Sequence, residues 1–160
     1  MSKLAFIFPG QGAQKAGMGK DFYENSEAAR SFFDNAQKIL DFDLKEMCFG
    51  EHEELNLTEY TQPCMVSVCL AIVQELKKRG INPDITAGLS LGEYAAVAAA
   101  GGMNELDAIK LVRRRGILMQ STVPAGEGAM AAVLGLDAKK IEEILESFEN
   151  VWIANYNCPG

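Results

Sequence analysis

Histidine occurs once in the 160 residues, as His52, and the four cysteines (Cys48, Cys64, Cys69 and Cys158) form no C-x-x-C pair and no cluster at metal-ligand spacing. A structural zinc site is therefore not expected. Positive charge is in deficit: 15 Lys and Arg against 22 Asp and Glu give a formal net charge of −7. That is the wrong sign for a nucleic-acid partner, because phosphate binding needs a basic face. No apolar run approaches the ~18 residues of a membrane span. Met1-Ser2-Lys3-Leu4 leads into a short apolar run closed by Pro9-Gly10, too short and too Gly/Pro-bounded for a signal peptide. The sequence thus reads as cytoplasmic, with reduced cysteines serving as packing or surface thiols.

What is present is the material for one ordinary core. Hydrophobic residues make up 48% of the chain and are interspersed with 23% charged residues, which argues against disorder. Leu4 to Phe8 fits a buried parallel strand, and the glycine-rich stretch from Pro9 to Gly19 reads as a loop. The spacing predicts a helix over 26–40, with Ser26 as cap and Phe32, Phe33, Ala36, Ile39 and Leu40 on one face. A second is expected over 61–79, with Thr61 as cap, Pro63 in the first turn and Gly80 as stop. A short strand is expected within 81–88, an alanine-rich helix over 91–100, and a helix over 104–121 capped by Asn104. After Val123-Pro124-Ala125-Gly126 the character changes. Residues 129–134 and 151–154 read as strands around a helix over 137–148. The alternation argues an α/β architecture, with residues 1–125 as the first part of a core and 126–160 as the start of a small subdomain.

The strongest chemical signal is Gly88-Leu89-Ser90-Leu91-Gly92, a G-x-S-x-G between an expected strand and an expected helix. A sharp strand-to-helix turn strains the serine, the glycines admit neighbouring backbone, and the helix aims its free amides at the hydroxyl. The Leu91 amide is then a natural oxyanion donor. The plainer alternative is a glycine-rich turn with an incidental serine.

Arg115 stands out on the 104–121 helix. Ala108, Leu111, Val112, Leu118 and Met119 lie three, four or seven residues from it, so it falls on the apolar stripe, whereas Arg113 and Arg114 point away. A guanidinium so placed needs an anion or acceptors, and its planar fork suits a carboxylate. The alternative is a snorkelling arginine. Gln11 sits in a Gly-x-Gly turn where amides can converge on an anion, or in an ordinary loop. Glu93, in the first turn after the elbow, reads as favourable charge at a helix N-terminus. Gln62 and Asn157 are further cleft-lining candidates. His52, in the acidic stretch Glu51-His52-Glu53-Glu54, reads as a solvated histidine rather than a base for Ser90.

Three separated motifs together carry a resemblance. Phe8-Pro9-Gly10-Gln11-Gly12-Ala13-Gln14, then Gly88 to Tyr94 with Arg115-Gly116, then Gly128 to Ala132 with Asn155-Tyr156-Asn157-Cys158-Pro159-Gly160, resemble the amino-terminal half of the malonyl-CoA:acyl carrier protein transacylase family. The resemblance implies an α/β-hydrolase-like acyltransferase core with a ferredoxin-like small subdomain. It also implies a ping-pong transfer of malonyl from malonyl-CoA to the phosphopantetheine thiol of acyl carrier protein, in fatty acid biosynthesis. It makes Ser90 the nucleophile, gives oxyanion-hole amides to Gln11 and Leu91, and sets Arg115 on the malonyl carboxylate. No cofactor is implied beyond the coenzyme A thioester as substrate. Leu89 stands where the family often has histidine. The family's general-base histidine lies beyond the asparagine-proline-glycine segment, and this sequence ends at Gly160. The implied partners are therefore malonyl-CoA, acyl carrier protein and a carboxyl-terminal half or partner segment, and the 160 residues alone are expected to be inactive. A serine esterase or thioesterase shares the elbow but has no need of a carboxylate clamp.

Overall fold

The structure, a computed structural model, describes residues 3–123 and 126–158. Pro124 and Ala125, where the sequence changes character, and the Pro159-Gly160 end of the last motif lie outside the described residues. Two compact units divide the chain, Met1–Ala125 and Gly126–Gly160.

In the first unit β1 (Ala5–Phe8) is followed by α1 (Lys20–Asn25), α2 (Glu27–Gln37), α3 (Leu44–Phe49), a 3₁₀ turn (Glu53–Asn56) and α4 (Thr58–Lys78). Then come β2 (Ile85–Gly88), α5 (Leu91–Ala99) and α6 (Glu105–Thr122). The caps are chemical. Ser26 Oγ accepts from the Ala29 amide, Asp43 from the amides of Lys45 and Glu46, and Asn104 from those of Leu106 and Asp107. Gly80, with φ of 76°, takes the left-handed turn after α4.

α4 is the central rod. Every residue from Thr61 to Val68 is buried, as expected of a helix packed on several sides. It begins one turn earlier than the sequence suggests, with Leu57 as cap and no side-chain cap bond. Thr61 is not the cap. Its hydroxyl donates to the carbonyls of Leu55 and Leu57, at 2.6 and 3.0 Å. Pro63 is consequently inside the helix and leaves the Glu59 carbonyl without its helical donor. Arg113 Nη1 supplies the missing bond at 2.8 Å.

β1 and β2 pair in parallel, from Ala5 opposite Ile85 to Phe8 opposite Gly88. The loops that follow both strands therefore leave from the same end of the sheet, the end where ligands bind in open α/β folds. These are the Gly10-Gln11-Gly12 loop and the Ser90 turn.

The second unit holds α7 (Ala138–Leu145), capped by Asp137, and Tyr156 Oη donates to Glu142 Oε1 at 2.6 Å. The strands expected over 129–134 and 151–154 do not form; neither segment has a ladder partner among the described residues. A β-strand is defined by pairing, and an apolar run without a partner has no ladder for its backbone donors and acceptors.

Candidate active site

The site is built where β2 turns into α5. Ser90 has φ 49° and ψ −99°, a region that costs a non-glycine residue on the order of 1–3 kcal/mol and persists only when the surroundings enforce it. They do. A Cβ on Gly88 would lie 2.1 Å from the Gly92 carbonyl carbon, and one on Gly92 would lie 2.3 Å from the Phe8 oxygen. A Cβ on Gly10 would meet the Leu89 oxygen at 3.0 Å, and the Leu89 amide donates to Phe8 at 3.1 Å. The glycines of both loops are thus what let the Gln11 loop lie against the elbow.

The backbone donors sort into used and unused. The Gly12 amide is taken by Gln14 Oε1 at 2.8 Å, and the Gly92 amide by the Leu89 carbonyl at 2.9 Å. The amides of Gln11 and Leu91 have no protein acceptor among the described residues. Leu91 is also the first residue of α5, so its amide adds to the positive end of that helix.

Across the turn, Arg115 Nη2 donates to Ser90 Oγ at 3.1 Å. The guanidinium lies over the Tyr94 ring, 5.6 Å from its centroid, a cation–π contact worth roughly 0.5–2 kcal/mol. No carboxylate of the described residues pairs with Arg115. Most of its fork is therefore free for an anion brought to Ser90.

The stripe drawn through Arg115 needs correction. α6 buries Ala108, Ile109, Val112 and Gly116, whereas Leu111, Leu118 and Met119 are each nearly half exposed. Nor does Arg113 point into solvent. It is held by Asp41 at 2.9 Å and by Glu59 at 3.1 Å, and packs against the rings of Phe42 and Tyr60, which touch each other edge to face. Burial pulls its pKa down, but Asp41 and Glu59 more than reverse this and raise it. The Arg113 hydrogen bond in turn holds the Asp41 carboxyl below the usual carboxylate range. Arg113 is a structural tie, and Arg115 is left without a carboxylate partner among the described residues.

Gln62 is fully buried rather than lining an open cleft. Its Nε2 donates to Met119 Sδ at 3.3 Å and its Oε1 has no partner among the described residues. Asn157 belongs to the second unit, where it lies in a stretch without regular structure. His52 pairs with Glu46 Oε1 at 3.0 Å and not with Ser90. Three cysteines pack in the first unit: Cys64 next to Cys48 and then burial push the Cys48 thiol up, and burial pushes Cys69 up to about 11. Two contributors escaped the sequence reading. Tyr94, four residues beyond Ser90, was readable from helical spacing. Thr58, which binds the Gln11 side chain, was not, because 47 residues separate the pair.

An elbow serine, two amides without a protein acceptor and a guanidinium without a carboxylate partner among the described residues thus meet at one turn. Residues 5–160 match the model of the acyl transferase domain. The chain belongs to the acyl transferase domain family. It is 48% identical over 165 residues to the malonyl CoA-acyl carrier protein transacylase of Bacillus subtilis (strain 168), covering 100% of this chain and 52% of that protein. The acyl transferase domain also superposes on the crystal structure of malonyl CoA-acyl carrier protein transacylase from Clostridium perfringens. There the TM-score is 0.83 and the identity 44%, over 91% of this chain and 46% of that one. It matches as well a type II PKS acyl-carrier protein in complex with its malonyl-transacylase, with TM-score 0.84 and identity 39%, over 91% of this chain and 48% of that one. The resemblance read from the motifs is borne out, and the first unit is part of an acyltransferase core. The chain spans about half the length of the curated relatives it matches. Among the described residues no helix is long and apolar enough to cross a membrane.

Proposed function

We propose that this chain supplies the nucleophile half of a malonyl-CoA:acyl carrier protein transacylase. The observation that carries the reading is Arg115 Nη2 at 3.1 Å from Ser90 Oγ, on a serine held in a strained elbow. Ser90 Oγ attacks the thioester carbonyl of malonyl-CoA and passes its proton to a general base contributed from outside residues 1–160. The oxyanion is received by the amides of Gln11 and Leu91. The coenzyme A thiolate leaves and is protonated, and malonyl remains as a Ser90 ester. The phosphopantetheine thiol of acyl carrier protein then attacks that ester, and the serine oxygen recovers its proton. A malonyl ester carries its carboxylate carbon two C–C bonds beyond the carbonyl, each about 1.5 Å, which brings it within the reach of a guanidinium already touching Oγ.

In this reading the first unit opens an α/β-hydrolase-like core. Residues 126–160 begin a ferredoxin-like subdomain whose strands pair once their partners are present. The reaction runs on protein groups with the coenzyme A thioester as substrate and needs no cofactor of its own. Fatty acid synthesis in the cytoplasm is the setting it implies, and the free thiols suit a reducing compartment.

Joining the chain to the carboxyl-terminal half of the Bacillus subtilis relative gives a testable enzyme. Mixed with malonyl-CoA alone, it is expected to release about one equivalent of coenzyme A per chain in a burst and then stall. Adding holo acyl carrier protein should restart release and form malonyl-carrier protein. Continuous release without the carrier would mean a hydrolase instead.

A further inference from the structure

The first turn of α4 ties together the two sides of the site. Thr58 Oγ1 accepts from Gln11 Nε2 at 3.0 Å, and the Thr58 amide donates to Gln120 Oε1 on α6 at 3.1 Å. Gly116 brings α6 so near this turn that a Cβ there would meet the Thr58 oxygen at 2.7 Å and Glu59 Cα at 2.8 Å. Arg113 adds two bonds to Glu59, at 2.8 and 3.1 Å, and is anchored by Asp41. α6, and with it Arg115, is thereby registered on Thr58 and Glu59. The Gln11 loop is registered on the same turn by one side-chain bond.

A second tie holds the far side of the loop, where Gln14 Oε1 accepts from the Gly12 amide at 2.8 Å and Gln14 Nε2 donates to Asn56 Oδ1 at 3.1 Å, so the Thr58 bond is the one made by the Gln11 side chain itself. Gly10 and Gly12 flank Gln11, Gly12 has φ of 110°, and glycine leaves the backbone wide freedom. The Gln11 amide itself has no protein acceptor to hold it among the described residues. We infer that Thr58 is a positioning residue: by holding the Gln11 side chain it aims the Gln11 amide at the oxyanion position beside Ser90. The inference rests on reading Ser90 as an acyl-transfer nucleophile. The thioester carbonyl is common to all acyl substrates, so Thr58 governs the chemical step for malonyl and acetyl groups alike, whereas Arg115 discriminates between them.

The test uses the chain joined to the carboxyl-terminal half of the Bacillus subtilis relative. Thr58→Val is expected to lower kcat roughly 10- to 100-fold, less than the 10²–10³ of a deleted oxyanion donor. KM for malonyl-CoA and the malonyl-to-acetyl ratio should stay unchanged. Thr58→Ser should restore the rate. Gln11→Met breaks the same bond from the exposed side, so combining it with Thr58→Val should add little further loss. An unaltered kcat, independent additive losses or no rescue by serine overturns the inference. A second measurement needs no turnover. In the 160-residue chain, amides of residues 11–14 should exchange hydrogen at least about threefold faster in Thr58→Val and in Gln11→Met, with α4 and α6 unchanged. Equal exchange overturns the tether. If the joined parent fails to transfer malonyl, the functional reading falls, while the exchange experiment still decides the tether. If Thr58→Val does not fold, Gln11→Met carries the same predictions.

Discussion

Arg115→Ala is expected to slow malonyl transfer roughly 30- to 1,000-fold beyond any effect on acetyl transfer. The figure is the loss of a charge-assisted, two-pronged contact, about 2–4 kcal/mol. The structure motivates it through what Arg115 does not do. Asp41 and Glu59 are both taken by Arg113, and Arg115 is left with Ser90 Oγ and the face of Tyr94. A guanidinium kept half-buried without a carboxylate is poised for one that arrives with the substrate. The acetyl group brings none. Truncation also removes the bond to Ser90 Oγ, which lowers both rates, so the ratio of malonyl to acetyl kcat/KM is the quantity to measure. Arg115→Lys should keep part of the preference, because an ammonium retains the charge and loses the fork. Equal losses for both acyl groups would make Arg115 structural.

Residues 1–160 by themselves are expected to transfer malonyl at least 10²- to 10⁴-fold more slowly than the joined form, the usual worth of general-base assistance. Serine is a weak nucleophile at its own pKa. The side chain bonded to Ser90 is Arg115, which has no acceptor capacity. His52, the single histidine of the sequence, is engaged by Glu46. The same chain should self-associate. β1 pairs only with β2 among the described residues, and Ile7 on it is 78% exposed. A groove of about 320 Å³ beside β1, lined by Phe6, Phe8, Met18, Val68, Ile72 and Leu76, adds apolar surface. An unpaired strand edge next to such a groove invites a second chain. Size-exclusion chromatography of the 17.4 kDa chain, with a transfer assay on the eluted fractions, checks both parts. A monomer with full turnover would contradict both.

The elbow was legible because it is local. Strand, glycine, serine and helix start fall within a few residues, and the steric demand for glycine at Gly88 follows from that turn alone, whereas that at Gly92 comes from Phe8 and Pro9 at the end of β1. The caps at Ser26 and Asn104 were legible for the same reason. What escaped depended on distance or on partners. α1 and α3 span six residues each, too few for a helical period to emerge. The start of α4 was misplaced because Thr61 and Pro63 imitate a helix beginning; inside the fold, Thr61 bonds backward and Arg113 repairs the gap that Pro63 leaves. The stripe on α6 singled out Arg115 through an argument that the structure supports only for Ala108 and Val112. Leu118 and Met119 flank it in the open, and what singles it out is that Arg113 takes the acidic partners. The strands expected over 129–134 and 151–154 are short apolar runs, and such a run cannot supply the neighbour that makes a strand.

Whether Ser90 takes the acyl group is read by mass spectrometry of the joined form after brief incubation with malonyl-CoA. The predicted result is a malonyl adduct on the peptide containing Ser90, absent from Ser90→Ala. An adduct of the same yield that survives Ser90→Ala would contradict it.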